Sequence, residues 1–244
     1  MKRAYRIALL LLLPSACTTP PDQSLVGWWK LDEAQGLAAA DSSGHGNSAT
    51  VANGEWSAGA DGGALLLDGA NDSVVTVPLS DSLRSTASAI TVTALAFRTE
   101  EHNVALVAHG YPTLFFGFHG SQFKWQVSLA NGRSAPCYAD RKYRAELNRW
   151  YHVAATYNGW VARLYVDGEE ICKHWTWGSI KMPETPFTIG SYLDDDGKIV
   201  DEMSGLIGDV RIYNRALSAS QIKALASESQ RQLPALKVSR NSSP

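Results

Sequence analysis

The stretch that most constrains this chain is residues 150–171, WYHVAATYNGWVARLYVDGEEI. Trp150–Tyr157 and Val161–Val166 are rich in aromatic and β-branched residues, which suit a pleated, half-buried surface. Asn158-Gly159 separates them, and an Asn-Gly step accepts positive φ at both central positions of a tight hairpin. Alternation puts Val153, Ala155 and Tyr157 on one face, opposite Leu164 and Val166. The other face carries Trp150, His152, Thr156, Arg163 and Tyr165, so it is polar-aromatic. Asp167-Gly168 supplies a second turn into a third strand, Glu169–Trp175. The three segments form a meander inside an antiparallel sheet.

The rest of the chain repeats that pattern. Strands are expected at 25–31, with Trp28 and Trp29 on opposite faces, and at 64–67, 74–77, 89–97, 104–108, 114–118, 124–129, 187–190 and 205–213. Residues 49–51 and 55–56 could add short pairings. One helix is expected, where Ser218 and Gln221 form a capping box before QIKALASESQ. Many short strands, glycine turns and almost no helix indicate an all-β, two-sheet antiparallel sandwich of jelly-roll type. No repeat or second domain is evident.

The chain has 244 residues and a formal charge of −2, which argues against a nucleic-acid partner. Lys2, Arg3 and Arg6 precede the apolar run 7–13, too short to span a bilayer. Pro14-Ser15-Ala16-Cys17 follows and resembles the lipobox of bacterial lipoproteins, with Pro14 where that motif prefers Leu. The resemblance implies lipidation at Cys17, removal of residues 1–16, a tether over 17–24 and a place in the bacterial cell envelope, at the outer membrane or in the periplasm. An ordinary secretory leader is the alternative. Loss of Lys2, Arg3 and Arg6 from the 22 basic residues leaves 19 against 24 acidic ones, an acidic mature chain. Of the three cysteines, Cys137 and Cys172 then remain for a disulfide, as an exported protein permits, with two buried thiols as the alternative.

Four segments agree in order with a known family: LVGWWKLDE with DSSGHGN, then ALLLDGANDSVVTVP, then the hairpin, then GLIGDVRIYNRALS. Together they resemble the laminin-G-like, concanavalin A-like jelly-roll family over residues 25–226, leaving a polar tail at 227–244. The resemblance implies two curved antiparallel sheets, a structural calcium in many members, and glycan or protein binding. Calcium takes six to eight oxygen ligands. Carried onto this chain, its candidates are Asp41, Asn47 and Asp209, since the first and last strands of a jelly roll are neighbours. The bland alternative has Asp41 organising an Asx-turn and Asp209 pairing with Arg211 or Arg215. Asp194-Asp195-Asp196-Gly197 lacks EF-hand spacing and reads as a solvated turn.

Sugar recognition uses aromatic faces against pyranose rings and polar groups that fix orientation. His109, Tyr111, His119, Trp125, Trp175 and Trp177 are the ligand candidates, with core packing as the alternative for each aromatic. Arg141 and Arg144, within a basic cluster, could meet an acidic polysaccharide. The paired carboxylates of a retaining glucanase, a G-x-S-x-G elbow and an H-E-x-x-H helix are all missing from the sequence. The expected function is a non-catalytic, lipid-anchored module for a glycan or a surface partner. The alternatives are a polysaccharide lyase using groups such as His119, Tyr138 or Tyr143, and a structural interaction module.

Overall fold

The computed structural model describes residues 22–57 and 63–232. The expected leader, Cys17 and the end of the tail lie outside these residues. In chain order the strands are β1 (Leu25–Trp29), β2 (Ala38–Ala39), β3 (Ala49–Ala52), β4 (Glu55–Ser57), β5 (Ala64–Asp68), β6 (Val74–Val77), β7 (Ile90–Arg98), β8 (Val104–His109) and β9 (Leu114–His119). They continue as β10 (Gln122–Ser128), β11 (Ser134–Tyr138), β12 (Trp150–Tyr157), β13 (Val161–Val166), β14 (Glu169–Trp175), β15 (Phe187–Ile189), β16 (Tyr192–Leu193), β17 (Ile199–Val200) and β18 (Ser204–Tyr213). The helices are α1 (Asp81–Arg84) and α2 (Ala219–Gln232).

Two large antiparallel sheets result, beside a two-stranded pairing of β16 with β17. The first runs β14-β13-β12-β7-β18-β5-β4 and the second β11-β10-β9-β8-β15-β6-β3-β2. The first half of β18 pairs with β5, from Ser204↔Asp68 to Ile207↔Leu65; its second half pairs with β1, from Val210↔Trp29 to Tyr213↔Leu25. Asp209 sits at the change of partner, in a bulge, with φ of 46°. The first and last strands of the described residues therefore pair as a jelly roll requires.

Alternation fills the space between the sheets. Trp29, Phe116, Phe118, Phe123, Trp125, Val153, Ala155, Tyr157 and Leu164 all enter one core. Cys137 on β11 and Cys172 on β14 are disulfide-bonded, Cα–Cα 5.9 Å, so the bond staples the edges of the two sheets together. Helix α2 lies over the outer face of the first sheet, packing Leu217 and Ile222 with Ala154, Tyr165 and Tyr213. Its cap is reciprocal: the Ser218 amide donates to Gln221 Oε1 (3.0 Å) and the Gln221 amide to Ser218 Oγ (3.3 Å).

Three details differ from expectation. Only Gly159 has positive φ in the first hairpin; Asn158 Oδ1 instead accepts from the amides of Trp160 and Val161, closing a three-residue turn. Strand β11 was not foreseen, because Ser134 and Pro136 occupy its outward positions. Helix α2 continues to Gln232, past the expected domain boundary at 226.

Candidate functional site

The outer face of the second sheet is built from the residues that alternation turns away from the core. Cross-strand register gives one row Ala105–Gly117–Lys124–Tyr138 and another Ala108–Phe115–Gln126–Pro136. Gly117 is obligatory. Strand β8 bulges between Ala105 and Val107, and a Cβ at 117 would lie 2.0 Å from the Val104 carbonyl oxygen. The β8 backbone from Val104 to Leu106 fills the place a side chain at 117 would take.

Lys124 is only 6% exposed, yet among the described residues it forms no ion pair. Its ammonium faces aromatic rings instead, 4.3 Å from the Phe115 centroid, 5.5 Å from Tyr138 and 5.9 Å from Tyr111. Such cation–π contacts offset part of the cost of burying a charge. His119 meets Tyr138 edge-on at 5.9 Å. Asp201 faces this group. Burial pushes its carboxyl above the ordinary value, and Lys124, His102 and His119 pull the other way.

Beside this patch Tyr111 and Tyr192 stack at 4.4 Å, with the edge of Phe115 against both. Burial pushes the Tyr192 hydroxyl up to about 12, and the negative charges of Asp201, Asp194 and Asp195 add to the effect, so it stays a neutral donor. A cleft of about 250 Å³ opens there, lined by Tyr111, Thr185, Thr188, Tyr192, Asp194 and Asp195. Aromatic walls, hydroxyls and carboxylates around one small cleft suit a polyhydroxylated ring: carboxylates accept its hydroxyls while its apolar face meets the tyrosines.

The outer face of the first sheet is built differently. A second groove of about 250 Å³ runs past Trp28, Lys30, Leu95, Trp150, Asp209 and Arg211. Asp209 and Arg211 pair through two hydrogen bonds, Nε to Oδ1 (2.8 Å) and Nη2 to Oδ2 (3.0 Å), and Trp28 Nε1 also donates to Asp209 Oδ1 (2.7 Å). Beneath them His152 is 2% exposed. Burial lowers its pKa from 6.5 to about 4, with Asp209 opposing and Arg211 adding to the effect.

The proposed calcium ligands have other work. Asp41 Oδ1 accepts from the amides of Trp28 (3.0 Å) and Ser43 (2.8 Å); Oδ2 accepts from Ser43 Oγ and the Asn47 amide, both at 2.8 Å. Burial raises the Asp41 carboxyl pKa, but these hydrogen bonds outweigh it and hold the group below the ordinary carboxylate value. Asn47 donates through Nδ2 to the Val26 carbonyl (2.6 Å) and Ser82 Oγ (2.9 Å). Asp209 is held by Arg211. Among the described residues no cluster of three or more His, Cys, Asp or Glu side chains converges. This donor set does not fit a calcium cage, because its charged oxygens are already filled by N–H and O–H donors and by a guanidinium. The Asx-turn and the Asp209–Arg211 pair, the alternative weighed for these residues, are what the structure contains.

The remaining candidates scatter. Trp125 is fully buried core. His109 is 1% exposed, stacked on Phe187 at 4.2 Å, with Nε2 at 3.0 Å from the Thr185 carbonyl; burial takes its pKa down to about 4. Arg144 lines a groove of about 490 Å³ with Lys142, Tyr143, Arg149 and Tyr151, while exposed Arg141 does not. Tyr111 and His119 do converge on the outer face of the second sheet. Trp175 and Trp177 are 69% and 49% exposed at the far end of β14, joined by Trp160 at 65%. The sequence reading overlooked Lys124, Tyr192 and Trp160. Lys124 carries a signal, since it alternates with Phe123 and Trp125 on the opposite phase; Tyr192 lies in a short pairing with no periodicity to reveal it.

Comparison with known proteins fits this architecture. The sequence profile described as the concanavalin A-like lectin/glucanases superfamily, laminin G type, matches residues 67–223. No curated protein matches the chain by sequence. Among solved structures, the binding domain of Paraclostridial Mosquitocidal Protein 1 is similar with a TM-score of 0.70 and 16% identity over 85% of this chain and 52% of its own. The botulinum neurotoxin serotype D ligand-binding domain in complex with N-acetylneuraminic acid gives 0.65 and 13% over 84% and 51%. The chain thus spans about half the length of these toxin domains. Domain 4 of AbnA, an extracellular arabinanase of Geobacillus stearothermophilus, in complex with arabinotriose, gives 0.64 and 17% over 83% of this chain and 98% of its own.

Proposed function

We propose, for a chain that belongs to the concanavalin A-like lectin/glucanases superfamily, a non-catalytic carbohydrate-binding role exercised on the outer face of the second sheet. The single observation that carries it is the stacked Tyr111–Tyr192 pair walling a cleft whose other sides are Thr185, Thr188, Asp194 and Asp195. The arabinotriose and N-acetylneuraminic acid complexes of its structural neighbours support the reading. The lipobox-like run ending at Cys17 supports, as part of this reading, a lipid-anchored position on the bacterial cell envelope. A glycan array followed by calorimetry tests the role. Tyr192→Ala should lower affinity for the selected glycan with circular dichroism unchanged; a silent array or undiminished binding would leave a protein partner as the better reading.

A second reading, a polysaccharide lyase, is favoured by one observation: His119, Tyr138, Lys124 and Asp201 meet on the same face. A uronate there would place its carboxylate by Lys124 and its acidic C–H near Tyr138 or His119. Incubation with alginate, hyaluronan or pectate decides it, because β-elimination leaves an ultraviolet-absorbing unsaturated end and binding leaves none.

A further inference from the structure

Trp160, Trp175 and Trp177 are the most exposed of the eight tryptophans, and they come from one rim of the sandwich. Val161 pairs with Trp175, the Thr176 amide donates to the Trp160 carbonyl (3.0 Å), and the Gly178 amide donates to the Gly159 carbonyl (3.2 Å). Two cations lie against the rings: the Arg133 guanidinium 3.7 Å from the Trp177 centroid and Lys173 Nζ 4.9 Å from that of Trp175. Neither cation has an ion-pair partner among the described residues.

The same rim receives the chain from its N-terminal side. Leu25 pairs with Tyr213, Tyr213 with Thr91, Thr91 with Thr156, Thr156 with Arg163 and Arg163 with Lys173, one continuous row across the first sheet. Above that row the Asn214 amide donates to the Ser24 carbonyl, Asn214 Nδ2 donates to Ser85 Oγ (3.0 Å), and Gly159 approaches the Ser88 carbonyl. Strand β1, which Asp22 precedes, and strand β14, which ends at Trp175, therefore meet the same rim, about 24 Å apart across five strand spacings, with Trp160 nearer on the β12–β13 turn. Cys17 is five residues before Asp22, a reach of at most about 18 Å.

We propose that this rim is a membrane-docking surface, with Trp160, Trp175 and Trp177 seated at the lipid headgroup level and Arg133 and Lys173 facing lipid phosphates. The inference rests on the lipid-anchor reading for its orientation. Tryptophan is suited to that layer, being apolar over most of its ring with one N–H for the wet side. Cations beside the rings complement phosphate, although the mature chain as a whole is acidic. A diacylated Cys17 would hold the chain at a bilayer, and this rim adds a contact that fixes which face of the sandwich meets it.

The test uses the chain without residues 1–16 and with Cys17→Ser, so that no lipid contributes. It is mixed with vesicles of phosphatidylcholine and phosphatidylglycerol that carry brominated acyl chains. Tryptophan emission should be quenched and blue-shifted. The variant Trp160→Ser/Trp175→Ser/Trp177→Ser should keep its circular dichroism and lose vesicle affinity at least about tenfold, or 1.4 kcal/mol. Arg133→Gln/Lys173→Gln should weaken binding to the anionic vesicles alone. No association of the parent chain, or quenching that survives the triple variant, overturns the proposal. So does a triple variant that binds vesicles normally but loses its glycan, which would reassign the rim to carbohydrate. Metabolic labelling with a fatty acid at Cys17 reports the anchor separately, so failure of one reading is not mistaken for failure of the other.

Discussion

The two outer faces of the sandwich start from the same rule and end differently. On the first sheet the polar groups satisfy one another: Asp209 takes two hydrogen bonds from Arg211 and one from Trp28, and helix α2 covers the neighbouring Ala154, Tyr165 and Tyr213. On the second sheet Lys124 is buried against aromatic rings with no salt bridge among the described residues, only Asp201 facing it, and Tyr111 and Tyr192 wall an open cleft. Satisfied polar groups lose little by staying as they are, whereas an unpaired cation and a stacked wall gain from a ligand. The first face is thus closed on itself, and the second leaves an open cleft, which is why the proposed binding role is assigned to it.

The largest expected effect cuts the staple that holds both faces in register. Replacing Cys137 and Cys172 together with Ser, or adding reductant, should cost about 4 kcal/mol for a loop of 35 residues, read as a lower urea midpoint. If the midpoint stays put, the sheets need no covalent tie.

Acid should act next, through one buried histidine in each sheet, His152 on β12 and His109 on β8. His152 and His109 have folded-state pKa values near 4, below the free value of 6.5. Between those limits the unfolded chain binds more protons, so stability is complete above about pH 6.5 and falls as pH drops toward 4. Each histidine contributes up to about 3 kcal/mol to that loss. His152→Gln should flatten the profile measured by thermal melts, and a variant as acid-sensitive as the parent would remove His152 from the account.

Asp209→Asn should cost about 2–3 kcal/mol, because it strands the Arg211 charge in a site where the pair is only 12–19% exposed. Glycan binding should be unaffected, since the change lies on the opposite face. On the second sheet the order reverses: Lys124→Gln should alter melting by less than about 1 kcal/mol yet weaken an acidic glycan about tenfold, with a reduced salt dependence in calorimetry. A neutral glycan bound as before would assign Lys124 to the anionic group. The smallest effect is expected from calcium. Melting in calcium and in chelator should agree within about one degree, given oxygens already occupied at Asp41 and Asp209. A clear rise with calcium would show that Arg211 and the Asx-turn yield to the ion.

Local chemistry was legible wherever the residues themselves decide it. Alternation fixed Trp150–Tyr157, Val161–Val166 and Glu169–Trp175 to the residue, as well as the opposite facing of Trp28 and Trp29. Asp167-Gly168 takes positive φ at both positions, as such a step prefers, and the Ser218–Gln221 box closes as its spacing implies. Trp175 and Trp177 are exposed, and their neighbours His174, Thr176 and Gly178 are polar or small. Trp125 and His109 were not separable from them, because one aromatic in an alternating strand has the same pattern whether its phase points in or out.

What the sequence determined by itself is a succession of short strands and turns that make an all-β sandwich, since period-two burial and turn residues act within a few positions of one another; the neighbouring first and last strands followed only from the family resemblance. Only the tertiary structure decided which oxygens are free. Asp209 sits where β18 exchanges β5 for β1 and there meets Trp28 of β1 as well as Arg211, and Lys124 lies among the Phe115, Tyr138 and Tyr111 rings of neighbouring segments. Both outcomes depend on strands far apart in sequence lying about 4.8 Å apart in space, and no local pattern encodes that distance.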